Sequence, residues 1–396
     1  MQVKSDLSLF LRTQGAGYLL LAILIYGIGT GILAPMNAVY LKDRLDLSKG
    51  EIASIFAISL FLNMLITLSV GIISDRLKGK KTIPMIAAVL CASGLIIYMQ
   101  ADDYSSALTG MSIAVAPSGL IMGQLFAMAR NHFQQRAESI LEIALLWLRA
   151  GYSVGFFMGL LLGANLYLLT GFQGVLWGNV AGYVGLFLLL SIYSEVKGGS
   201  AAAVVKGGEP FSLAMLIALL MLLCADAIRG LYLPLVFNER FERPDLMSYL
   251  WSGQAVFELL FMTLTGYWAA KYGSKSIMVL GGLCALITYT VYTTTAPIGL
   301  FFAVQPLYSL SISILYGVAM GYVQRMFINH TGFGASLYLF ISQTASLIGY
   351  LLPVLIEGIS PAIFMIPITL VVVALFIIVK VLYTEKRSLK SNALGR

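Results

Sequence analysis

The sequence predicts an all-α membrane protein with twelve transmembrane helices arranged as two six-helix, pseudo-symmetric halves. Three observations carry this expectation. The 396 residues are 59% hydrophobic and only 11% charged, where a soluble domain carries roughly 25% charged residues. The apolar residues fall into twelve runs long enough to cross a bilayer. The sequence also matches itself at an offset near half its length.

The low charge content is the strongest of these. A soluble protein of this size needs polar side chains to cover its surface, and they are not here. A soluble enzyme, a nucleic-acid-binding protein and a disordered chain are all excluded on composition. Barrels of the outer membrane alternate apolar and polar residues, so unbroken apolar runs argue for helices. The net charge of +7 fits the basic excess of cytoplasmic loops. Cys91, Cys224 and Cys284 all lie inside apolar runs and read as small packing residues. No His/Cys cluster has metal-ligand spacing, so neither a metal nor a cofactor is expected. The first apolar run exceeds signal-peptide length and lacks a small-residue cleavage site.

A spanning helix needs about 20 largely apolar residues. The twelve runs lie at 16–41, 51–74, 83–99, 105–129, 139–165, 172–194, 211–237, 247–270, 276–293, 299–325, 334–357 and 361–382. Residues 195–210, rich in Gly, Ala and Lys, form the one long connector. The expected organisation is an N-terminal bundle over 1–194, a cytoplasmic linker over 195–210 and a C-terminal bundle over 211–396. With both termini inside, cytoplasmic segments and adjoining span ends hold 18 Lys and Arg residues and the outer loops five. The positive-inside rule then puts both termini in the cytoplasm of a cell with this protein in its cytoplasmic membrane.

The repeat supports the two halves. Met122-Gly123 recurs as Met320-Gly321, Asn131-His132 as Asn329-His330 and Ala137 as Ala335, all at an offset of 198. A looser match aligns Gly71–Arg76 with Gly266–Lys271 at an offset of 195. Parallel six-span halves are a transporter architecture.

These residues carry a resemblance to the major facilitator superfamily. That family has a loop signature, G-x-x-x-D-R-x-G-R-K, after span 2 and often after span 8. Here the first copy reads GIISDRLKGKK from Gly71 to Lys81, with Lys78 as an extra residue and Lys80 where Arg is usual. The second reads GYWAAKYGSK, with Ala270 in place of the acid. The resemblance implies a gating role for Gly71, Asp75, Arg76 and Gly79, against the plainer reading that the basic residues only set topology. A narrower similarity, to the bacterial sugar efflux transporter family, rests on four stretches. They are Gly123–Arg130, Leu148-Arg149-Ala150, Gly253–Glu258 running on to Gly266-Tyr267, and Ala335–Tyr338.

Charge at bilayer depth is costly, so each instance is a functional hypothesis. Arg149 and Glu258 fall near the middle of spans 5 and 8, and Asp226 and Arg229 lie three positions apart on one face of span 7. The plainer reading of the last two is a local ion pair. Shifting Glu258 by the 195 offset lands on Asn63. An acid at that depth exchanges a proton where an amide cannot, which makes Glu258 the first candidate for proton coupling and Asp226 the second. Arg149, Arg229, Asn37, Asn63, Gln124, Gln305 and Gln343 are candidates for binding a polar solute, with Trp147 as an aromatic platform. The plainer reading of each amide is an interhelical hydrogen bond.

Gly151, Gly155, Gly159 and Gly163 form a small-residue stripe on span 5, read as close helix packing, with a bending hinge as the alternative. Many antiporters of the superfamily carry Gly-Pro there, and this sequence has no proline at that place. Pro35 and Pro234 are expected to kink spans 1 and 7.

The resulting expectation is a proton-coupled secondary transporter, not an enzyme, exporting a small polar solute such as a sugar or glycoside by alternating access. Its partners are the solute, protons and the lipid bilayer; no nucleic acid is involved, and the chain is expected to be a monomer. The alternatives are efflux of lipophilic cations and, in another class, a receptor or sensor that transports nothing.

Overall fold

The structure is a computed structural model describing residues 2–74, 79–196, 208–294, 297–327 and 331–394. Every regular element among them is helical. The chain runs through α1 (Gln2–Arg12), α2 (Ala16–Leu33), α3 (Asn37–Leu45), α4 (Lys49–Ser74), α5 (Thr82–Met99), α6 (Tyr104–Val115), α7 (Ser118–Arg136) and α8 (Leu141–Ile192). It continues through α9 (Leu213–Phe241), α10 (Asp245–Tyr272), α11 (Ser274–Thr293), α12 (Ile298–Ala303) and α13 (Gln305–Ser313). A π-helical turn, Ile314–Ala319, leads into α14 (Met320–Met326), followed by α15 (Thr331–Leu351) and α16 (Met365–Leu394).

Ten segments of the described chain are long and apolar enough to cross a membrane. One of these, Ile143–Ile192, belongs to the 52-residue α8, which as a straight helix would be about 78 Å long at 1.5 Å per residue. That is more than twice the hydrocarbon thickness of ~30 Å. The chain turns at Gly171, whose φ of 66° and ψ of −159° suit only a residue without Cβ. α10 carries Asp245, Glu258 and Lys271 and is not among the ten. Large apolar side chains such as Leu169, Leu355 and Phe376 are exposed, as expected where lipid is the solvent.

Several runs read as single helices are broken. The first divides into α2 and α3 around Pro35, in line with the expected kink. The fourth divides at Ala116-Pro117 into α6 and α7. Pro234, by contrast, sits inside an uninterrupted α9. An additional helix, α1, precedes the first span. Its Phe10 is buried against Phe133 of α7, with ring centroids 5.3 Å apart and nearly parallel. After α1 the chain turns at Gly15, where φ is +98° and a Cβ would sit 2.7 Å from the His132 ring.

The described chain forms two compact units: 1–201 together with 243–252, and 202–242 together with 253–396. In the first, α2 packs on both arms of α8. A Cβ on Gly155 or Gly159 would meet the Leu24 or Ile28 carbonyl oxygen at 2.2 Å. At Gly155, Gly159 and Gly163 the glycine stripe is therefore a backbone-to-backbone seam, while Gly151 faces the Leu20 side chain. On its other face α2 meets the second arm of α8, where Asn179 Nδ2 donates to the Gly29 carbonyl at 2.5 Å. In the second unit, α9 packs against α15 and α16, and α11 against α13 and α16.

Candidate functional site

The densest polar cluster inside the described spans lies in the second unit and is built on α9. Asp226 and Arg229 face the same way, one turn apart. The Asp226 carboxylate, half-buried, accepts a hydrogen bond from Tyr316 Oη at 2.7 Å and another from Tyr308 Oη. The Arg229 guanidinium lies 4.0 Å above the Tyr308 ring and donates to Gln305 Oε1 at 3.3 Å. Gln305 in turn donates through Nε2 to Tyr292 Oη at 3.0 Å and to the Phe301 carbonyl at 2.7 Å. Tyr308 thus touches the acid with its hydroxyl and the base with its face. Its stacking on Arg229 offsets part of the cost of desolvating a guanidinium, and Arg229 is only 3% exposed.

The tenth run is shaped to deliver these groups. It breaks at Val304, between α12 and α13, and α13 starts with Gln305-Pro306. Proline near the start of a helix lacks only an amide that would be unbonded there anyway. Ser309 and Ser313, on α13, donate to the α10 carbonyls of Gln254 and Glu258 at 2.9 and 3.2 Å. The π turn then brings Tyr316 onto Asp226, and Tyr338 of α15 donates to the Leu315 carbonyl at 2.5 Å.

Glu258 is half-buried on α10. Gln343 is half-buried on α15.

In the first unit the candidates are dispersed. Asn37, buried at the start of α3, accepts from Tyr98 Oη at 2.9 Å, and its Nδ2 meets the Met111 sulfur at 3.6 Å. Asn63 directs its amide nitrogen to the carbonyls of Val115 and Ala116 at 2.8 and 3.2 Å and to Ser118 Oγ at 3.3 Å. It thereby serves the backbone freed by the α6–α7 break at Pro117. Gln124 is buried on α7. Trp147 packs perpendicular to Phe10 at a centroid distance of 5.3 Å, so α1 occupies one side of the expected aromatic platform. Arg149 is exposed on α8.

Of the loop signature, Gly71 ends up near the C-terminus of α4, Asp75 and Arg76 lie outside the described residues, and Gly79 immediately precedes an anchored stretch. The backbone amides of Lys80 and Lys81 donate to the Glu195 carboxylate at 2.5 and 3.2 Å. Lys81 Nζ donates to the carbonyls of Ser191 and Tyr193 at 3.0 and 2.7 Å, at the C-terminal end of α8. A carboxylate at a helix N-terminus and an ammonium at a C-terminus both oppose the helix dipoles favourably. In the second unit Lys275 plays a similar part. It contacts Glu385 of α16 at 2.6 Å and Glu209 at 3.6 Å. These lysines bind the end of one helix to another, beyond any effect on topology. In the repeated Asn-His pair, His132 is buried with Nδ1 2.8 Å from Tyr193 Oη; Asn329 and His330 lie outside the described residues.

Sequence reading missed Tyr308, Tyr316, Tyr338 and Tyr292, which supply most of the contacts around Asp226 and Gln305. Tyrosine is frequent in this chain, at 21 residues, and no spacing distinguishes these four. The polar serines Ser309 and Ser313, two turns of contact on one face, were a readable signal. Glu195, at the start of the expected linker, acts as a helix cap.

Helices of this length and apolarity, with charge inside some of the spans, define a multi-pass membrane protein. The family profile of the Major Facilitator Superfamily matches residues 19–241. The chain belongs to the Major Facilitator Superfamily. It is similar to sugar efflux transporter A of Dickeya chrysanthemi, 24% identical over 334 residues that cover 82% of this chain and 84% of that protein. Sugar efflux transporter C of Escherichia coli (strain K12) is 20% identical over 364 residues, 89% of this chain and 90% of that one. Among solved structures, a point mutant of the nucleoside transporter NupG superposes with a TM-score of 0.78 at 15% identity, covering 92% of this chain and 98% of that chain. The peptide transporter POT in complex with sulfate reaches 0.77 at 12% identity, covering 95% of each chain. At these identities the structural likeness speaks for the fold.

Proposed function

We propose that this protein is a secondary active transporter that exports a sugar or glycoside in exchange for protons by alternating access. The observation that carries the reading is the Asp226 carboxylate, held by two tyrosine hydroxyls beside Arg229 and Gln305. An ionised carboxylate can only accept hydrogen bonds, whereas its protonated form also donates one. Taking up a proton therefore changes the pattern that fixes Tyr308 and Tyr316. This favours Asp226 over Glu258 as the coupling site. Gln343 offers the paired donor and acceptor that suit hydroxyl-rich solutes, whereas the amides of Gln305 and Asn37 are engaged within their own units. The names of the relatives support the sugar class. Residues 1–194 and 211–396 act as the two rocking halves, with both termini in the cytoplasm and the chain working as a monomer.

The test is flux in proteoliposomes under an imposed proton gradient, against a panel of glucosides, galactosides, peptides and lipophilic cations. Gradient-driven movement of sugars, lost in Asp226→Asn, is the expected result. If only lipophilic cations move, the chain is a multidrug exporter; if nothing moves under any gradient, the transporter mechanism proposed here is wrong.

A further inference from the structure

The π turn at Ile314–Ala319 is the least regular part of the cluster. A π turn holds one residue more than the α register allows, is intrinsically unfavourable, and persists where its surroundings fix it. Two hydroxyls do so here. Tyr338 Oη holds the Leu315 carbonyl at 2.5 Å, and Tyr316 Oη holds Asp226 Oδ2 at 2.7 Å. Only the second contact ends on a group whose charge can change.

The turn also has room to move. On one side is a small void of about 20 Å³ lined by Leu219, Gly281, Tyr289, Ile314, Leu315 and Ala319, among others. On the other is a cavity of about 520 Å³ whose lining includes Met262, Gly266, Gly317, Gly321 and Arg325. A Cβ built on Gly317 would find nothing within 4 Å. At the far end of α14, Arg325 donates to Ser274 Oγ at 2.6 Å, and its carbonyl accepts from the Glu209 amide at 2.9 Å.

We infer that this π turn transmits the protonation state of Asp226 to α14, with Tyr316 as the positioning residue. The inference rests on the reading of Asp226 as the proton site. With Asp226 ionised, the charge-assisted bond holds Tyr316 and keeps the extra residue in the turn. With a proton on the carboxyl, that bond becomes a neutral one of roughly half the strength. The turn then relaxes toward the α register. Absorbing one residue advances the following helix by about 1.5 Å and rotates it by about 100°, which reorients Gly321 and Arg325 at the larger cavity. The other titratable or charged groups within electrostatic reach of Asp226 are Arg229 on its own helix, Tyr289 of α11, Tyr308 of α13, and Tyr338 and Tyr350 of α15. None of these lies in the π turn, whereas Tyr316 does.

Hydrogen exchange of the full-length protein in lipid nanodiscs tests this without any solute. Amides of 314–326 are followed from alkaline pH down to the lowest pH at which the protein stays folded, with exchange times corrected for intrinsic chemistry. In the wild type they should exchange about fivefold faster at the acid end, the shift expected when one charge-assisted hydrogen bond turns neutral. Tyr316→Phe and Asp226→Asn should both abolish the pH dependence. Tyr338→Phe, which leaves Asp226 untouched, should reduce its amplitude and serves if Tyr316→Phe does not fold. If Asp226→Asn is flat while both tyrosine variants keep the wild-type amplitude, the π turn is not the transmitter, and Asp226 stands as the proton site. If Asp226→Asn keeps the wild-type amplitude, the proton site and the inference fall together.

Discussion

Replacing Gly159 by alanine measures how closely α2 and α8 are seated. The added Cβ would lie 2.2 Å from the Ile28 carbonyl oxygen and 3.0 Å from the Gly31 Cα. Ordinary contact begins at 3.4 Å, so the two backbones must part by about 1.2 Å at this point. A gap of 0.5–1 Å forfeits about a quarter to a half of the dispersion energy of facing atoms, and overpacking of this kind costs about 1–3 kcal/mol. Alanine also gains about 1 kcal/mol over glycine in a helix, which would hide part of the loss. Gly123→Ala supplies the control: it is in a helix too, and nothing lies within 4 Å of its Cβ position. The difference between the two variants isolates the steric cost. At ~2–4 °C per kcal/mol, Gly159→Ala should melt roughly 2–12 °C below Gly123→Ala. Cys91, Cys224 and Cys284 are all buried free thiols, so a thiol-reactive dye reports unfolding in detergent directly. Equal melting temperatures for the two variants would show that span 5 bends freely here and that its glycines form a hinge.

Three further outcomes can be checked in the same preparations. Glu195→Ala removes the carboxylate that caps the Lys80 and Lys81 amides and should lower stability by about 1 kcal/mol, whereas a purely linker residue would leave the melt unchanged. Phe10→Ala should undock α1: loss of about 3 kcal/mol of ring burial corresponds to roughly a hundredfold faster amide exchange over residues 2–12, with the spans unaffected. Asp103 caps α6 by accepting from Ser106, and these hydrogen bonds hold its carboxyl below the usual range. A depressed folded pKa gives stability that is present above the unfolded pKa, about 3.9, and lost as the pH falls through the folded value. An acid titration of the melting temperature should therefore show a small decrement below about pH 4 in the wild type that Asp103→Asn lacks.

The sequence made some residues legible for good physical reasons. Arg229 and Asp226 stood out because charge in lipid must have a function or a partner, and each has partners. The span 5 glycines stood out because spacing of four marks one helical face, and that face meets a backbone. Asn63 was legible as an intramembrane amide, but its contacts with Val115 and Ala116 depend on the break at Pro117, where a proline marks a kink without saying which side chain serves the freed carbonyls. Trp147 was legible as an aromatic platform; that Phe10 covers one side of it depends on how α1 folds back. Glu195 looked like part of a polar linker because its contacts, the amides of Lys80 and Lys81, are more than a hundred residues away.

Composition and periodicity alone determined that this chain lives in lipid, that it is helical, and which few charges are expensive there. Those are properties of a segment and its solvent, and they need no knowledge of neighbours. Only the tertiary structure decided that tyrosines from α13 and the π turn grip Asp226, that Arg229 rests on Tyr308, and that helix ends are tied by Lys81 and Lys275. A hydrogen bond is worth its energy only at about 3 Å and in line, and which atoms reach that distance is fixed by helix packing, breaks and register.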